Sequence, residues 1–108
     1  MKWENIQYRD FHDVPRIFIF QWEGKTYLAN CPFSHELDEY ESTYSLFELP
    51  PLTTLSLDGP WEGLRGRALR KIGEVAVVDV IFDPTRRRQV DTDVFRKMLE
   101  PRKPVVEE

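Results

Sequence analysis

The sequence predicts an α+β, β-rich fold: a curved, mostly antiparallel sheet or small open β-barrel of five to seven strands, with one C-terminal helix. Three observations carry that expectation. Seven of the nine residues from Val75 to Asp83 are apolar and five of those are β-branched, a composition that is stiff at χ1 and packs well on a pleated surface. Arg16–Trp22 and Lys25–Cys31 are two β-prone runs around Glu23-Gly24, the signature of a hairpin with a two-residue loop. Val94, Phe95, Met98 and Leu99 recur at helical spacing between Asp91-Thr92-Asp93 and Pro101, which supply a cap and a stop.

Taken in order, Trp3 to Asp10 alternates loosely and predicts a short strand, with Phe11 to Pro15 as a connection. The hairpin follows. With Trp22 opposite Lys25, Phe20 faces Tyr27 and Phe18 faces Ala29 on one side, while Ile19–Leu28 and Ile17–Asn30 fall on the other. Cross-strand pairs of this kind contribute roughly 0.2–1 kcal/mol each. Ser34 can cap a helical turn whose first residues are acidic, as the helix dipole favours. Thr43 to Leu49 predicts a strand stopped by Pro50-Pro51, and Leu52, Leu55 and Leu57 form a weaker run. Gly63 and Gly66 leave Trp61 to Gly66 as a loop with at most one turn. Arg67 to Ile72 predicts a mixed strand leading into 75–82, which reads as the central strand, covered on both faces. Asp83 to Arg86 can turn the chain back, making Arg86 to Val90 an exposed edge strand, before a helix over 91–100.

The chain of 108 residues predicts a single domain over 1–108, with 102–108 a frayed tail. One cysteine excludes an intramolecular disulfide and fits a reducing compartment. The first residues lack the apolar core of a signal peptide and no apolar run approaches the ~20 residues of a membrane span, so the expectation is a soluble cytoplasmic protein without membrane contact. The net charge is −4. Residues 1–60 carry 4 Lys/Arg against 10 Asp/Glu, and residues 61–108 carry 11 against 9, so the two halves can attract one another within a fold or between copies. A weakly acidic total argues against nucleic acid, and so does the placing of 11 of 14 aromatics in residues 1–60, away from the arginines.

No catalytic, metal or nucleotide motif stands out. Cys31 lies four residues before His35, and His12-Asp13 offers a second imidazole, but the acidic run beyond Cys31 would raise its thiol pKa, and a small buried cysteine is the ordinary outcome. His35, Glu36, Asp38, Glu39 and Glu41 are possible ligands whose spacing matches neither an EF-hand nor a zinc site. The glycines match no phosphate loop and there is no nucleophile elbow. Asp79, inside the apolar run, reads as a buried carboxylate paired with Arg67 or Arg70. No cofactor is expected, and the reading leans away from an enzyme. A hairpin apolar on both faces has one face for the helix and one left for a partner, most simply a second copy. The expected function is therefore a non-enzymatic interaction module that self-associates, or binds another protein, through Arg86, Arg87, Arg88, Arg67, Arg70 and an aromatic face including Trp22. A small-molecule-binding β-barrel is the first alternative, and a small enzyme using His and acidic residues the second.

Overall fold

The computed structural model describes residues 3–55, 57, 61–83 and 89–99. The expected tail at 102–108, the turn after Asp83 and the arginines 86–88 lie outside the described residues. The main body is a six-stranded antiparallel sheet of β1 (Trp3–His12), β2 (Val14–Trp22), β3 (Lys25–Asn30), β6 (Thr43–Leu49), β7 (Arg70–Ala76) and β8 (Gln89–Asp91), in the order β7-β6-β3-β2-β1-β8. A separate two-stranded ribbon, β4 (Phe33–Ser34) with β5 (Glu39–Tyr40), projects between β3 and β6.

β2 and β3 form the expected hairpin in the expected register, Trp22↔Lys25, Phe20↔Tyr27, Phe18↔Ala29, Ile19↔Leu28 and Ile17↔Asn30. The loop residues Glu23 and Gly24 have φ of 53° and 77°, the paired left-handed conformation of a type I′ turn, whose twist matches that of the strands. These two strands occupy the middle of the sheet. One face carries Phe18, Phe20, Tyr27, Ala29, Tyr44 and Leu46 into a core shared with Val75, Val80, Val90, Phe95 and Leu99. The opposite face carries Ile17, Ile19, Leu28, Phe47 and Leu49 against Trp61 and Leu64, with Leu55, Leu57 and Ala68 packed around them.

The run 75–82 is not the central strand. β7 ends at Ala76, a 3₁₀ turn follows at Val77–Asp79, and Phe82 then forms a bridge with Val90 beside β8. β7 is an edge strand, and the chain crosses from that edge to beyond the other. The middle positions are taken by β2 and β3, whose two apolar faces need layers on both sides. Within 75–82 only Val75 and Val80 are buried, while Val78 is 90% exposed and Asp79 is also exposed. Asp79 is therefore not a buried carboxylate. The six residue steps from Ala76 to Phe82 reach at most about 20 Å, whereas a flat sheet would separate the two by about 29 Å; the sheet must curl. Among the described residues it stays open, with β7 and β8 as its terminal strands and Phe82 bridged to the outer side of β8.

The C-terminal stripe packs as its spacing implies, with Phe95 and Leu99 buried and Val94 and Met98 against the same core. The geometry differs from a helix over 91–100. Asp91 belongs to β8 and accepts a hydrogen bond from Asp93 N at 3.0 Å, Thr92–Phe95 is 3₁₀, and only Arg96–Leu99 is α-helical. Met98 lies close over β7, its sulfur 2.8 Å from where a Cβ on Gly73 would sit. On the opposite face, the weak run after Pro51 is a 3₁₀ turn at Leu52–Thr54, and Glu62–Arg67 makes two 3₁₀ turns rather than a loop. In 3₁₀ geometry residues i and i+3 eclipse, so Trp61 and Leu64 enter the sheet together. The hairpin face expected to await a partner is covered by the chain itself.

Candidate functional site

The sequence-derived contact residues divide. Trp22 is 9% exposed and belongs to the Phe18-face core, so it is a core residue and not part of an exposed aromatic face. Arg67 closes the 3₁₀ segment and reaches Thr54 O at 3.5 Å, and Arg70 opens β7 and pairs with Glu48 at 3.0 Å. The mixed strand thus starts at Arg70 and excludes Arg67. β7 and β8 lie at opposite ends of the strand order.

Strand register sorts the charges along the strand axis. Toward one end, where Arg70 pairs with Glu48 and Thr26 with Leu49, lie exposed Lys25, Arg65, Arg67, Arg70 and Lys71. Arg65 sits over the Phe47 ring at 5.5 Å. Exposed Glu23 and the half-buried Glu48 share this end, and Glu48 adds to burial in pushing the Tyr27 hydroxyl pKa up. Leu69 stands among these cations 61% exposed, its N–H donating to Glu48 O at 2.7 Å. Toward the other end, where Cys31 N donates to Arg16 O and Val77 N to Ser42 O, carboxylates predominate: exposed Asp10, Asp13, Glu36, Asp38, Glu39 and Glu41, against half-buried Arg16 and, on the Ile17 rung, exposed Arg9. The β4–β5 ribbon carries three of these carboxylates, with Glu41 directly after it, together with exposed Phe33 and Leu37. Its turn is tied by Leu37 N donating to Ser34 Oγ at 3.3 Å, and Asp38 takes a φ of 54°.

The ribbon is seated by rings. Phe33 meets Tyr40 and His35 edge-on, each at 5.2 Å, and Arg16 lies over Tyr40 at 4.5 Å. Beneath it Cys31 donates its thiol to Glu41 O at 3.0 Å and accepts from Arg16 at 3.6 Å. Burial pushes the thiol pKa up, against the opposing pull of Arg16. Tyr44 donates to Pro15 O beside it and is likewise pushed up, by burial first. A protonated thiol bonded to a carbonyl is poorly placed for nucleophilic work. Among the described residues no group of three or more His, Cys, Asp or Glu is arranged to hold a metal ion.

A ligand inside a barrel would occupy the space between the sheet and the C-terminal segment. Stacked and edge-on rings fill it, Phe20 on Phe95 at 5.1 Å and Phe18 against Phe82 at 5.4 Å. A slot of about 210 Å³ opens where β1 leaves β2 to pair with β8, bordered by Glu4, Asn5, Gln7 and Gln21 over buried Ile6, Ile19 and Phe20. Among the described residues no helix is long and apolar enough to cross a membrane.

Exposed Leu37, Leu69 and Val78 were not singled out in the sequence. The available signal was an apolar residue isolated among charges, as Leu37 is between Glu36 and Asp38. No known protein family, characterised protein or solved structure matches the chain.

Proposed function

We propose that this chain is a non-enzymatic protein-interaction module that self-associates, working in the cytoplasm where Cys31 stays reduced. The observation that supports it is the separation of charge along the strand axis, with exposed apolar side chains at both ends: Phe33, Leu37 and Val78 toward the acidic end, Leu69 among the cations. Apolar groups ringed by one charge sign favour a surface of the opposite sign, and the chain presents both. Arg67 and Arg70 stand on the cationic side. Arg86, Arg87 and Arg88 join the contact surface on sequence grounds, as guanidinium groups suited to carboxylates.

Light scattering over a hundredfold concentration range tests this. The mass is expected to rise toward a dimer or higher at low salt. It should fall back as salt goes from about 0.05 M to about 1 M, where the Debye length shrinks to about 3 Å. A monomer at every concentration and salt would remove the proposal.

A further inference from the structure

We infer that two copies join edge to edge through β7, across a two-fold axis passing close to Gly73. This rests on the self-association reading and names its surface. β7 is a terminal strand of the sheet, and such a strand turns part of its backbone N–H and C=O groups outward as a template for another strand. Its flank, continued into the following 3₁₀ turn, is ordered by charge. Leu69, Arg70 and Lys71 come first and Glu74, Val78 and Asp79 last, all of them exposed.

Antiparallel alignment of two such flanks reverses one of them. With the axis at Gly73, residues equally far before and after it stand opposite one another: Lys71 of each copy comes beside Glu74 and Val75 of the other, and Leu69 beside Val77 and Val78. Cation thus meets carboxylate and leucine meets valine, twice over, while Arg70 keeps its own Glu48. Parallel alignment would set like charges together. The rest of the molecule agrees, since the carboxylates of the β4–β5 ribbon and the cations at 65–71 lie toward opposite ends of the strand axis. Two copies side by side therefore set their predominantly acidic and cationic ends against one another when antiparallel. A contact of this kind is isologous and closes at a dimer.

Two features bear on how strongly the edges join. The β6–β7 register shifts between Leu46 and Phe47, so that Gly73 and Lys71 face consecutive residues of β6 and Ile72 is the extra residue. A bulge of this kind shortens the length of edge that can pair. The same shift puts Lys71 and Glu74 within 3.0 Å of each other, an exposed pair. Such a pair contributes little by itself, and although Glu74 also accepts from Thr43 Oγ1 at 3.2 Å, Lys71 can exchange its carboxylate for the one across the axis. A short, charged, bulged edge makes a weak dimer sensitive to salt.

Charge exchange at Lys71 and Glu74 is the test, read by sedimentation velocity beside the wild type, with circular dichroism to confirm the fold. Lys71→Glu sets four carboxylates around the axis and is expected to weaken dimerisation at least about tenfold. The double change Lys71→Glu with Glu74→Lys restores complementarity and is expected to recover the dimer. Val78→Lys, at a side chain already 90% exposed, is expected to weaken it without touching the core. A wild type that dimerises equally well as Lys71→Glu, or a double variant that stays monomeric, would overturn the β7 contact and leave self-association standing. A wild type that is monomeric throughout would overturn both.

Discussion

Cys31, Tyr44 and Tyr27 are three weak acids that the fold holds in their neutral form. Burial is the first cause for each, raising all three pKa values above those of an exposed thiol or phenol. The sign of the consequence follows from proton counting. As pH rises past the ordinary range of a thiol near 8.5 and then a phenol near 10, the unfolded chain loses these protons first and binds fewer than the native state. Stability therefore falls with rising pH. Urea melts are expected to give a plateau near neutrality and a midpoint that declines above about pH 9, with a shallower early decline in Cys31→Ser. A midpoint independent of pH up to about pH 11 would mean that these groups are not buried as described. The burial of Cys31 was legible from its place at a strand end. Its bond to Glu41 was not, because it depends on where the 33–41 ribbon returns.

At the scale of elements, the least obvious piece is the 3₁₀ segment Glu62–Arg67. Gly63 and Gly66 argue against helix, and both have open space around them. What holds the segment is Trp61, whose Nε1 donates to Leu57 O at 3.1 Å. Arg9 lies over its ring at 4.6 Å and donates to the same carbonyl at 3.1 Å. Trp61→Ala would uncover the Ile19 face, at a cost of about 3 kcal/mol. That corresponds to a fall of about 10–15 °C in Tm, which calorimetry would register; a change of only a degree or two would show the face is not covered this way. The β2–β3 hairpin was legible to its register, because neighbours in sequence and Gly24 specify it locally. The run 75–82 was misread. Its residues suit extended backbone, but which strand lies in the middle depends on pairings far apart in sequence. Arg67 and Arg70 were legible as a charged surface. The exposure of Leu69 and Val78 was not, since apolar residues read as core until the sheet's edge is known.

For the molecule as a whole, the arrangement is a sheet curled around one core and backed by a second. β2 and β3 stand between the two, and 75–82 links one edge to beyond the other. The chain covers both faces of its central hairpin, and the self-association proposed above is therefore assigned to the edge at β7 and the two charged ends. Native-state hydrogen exchange, followed amide by amide, tests this most directly, since protection rises toward the elements that open only with global unfolding. Amides of Phe18, Phe20, Leu28 and Ala29 that bond within the sheet are expected to exchange slowest. Those of Val78 and Asp79, in an exposed turn at the edge, are expected to exchange faster by orders of magnitude. Equal, maximal protection running unbroken from Val75 through Phe82 would contradict the arrangement and return that run to the middle of the sheet.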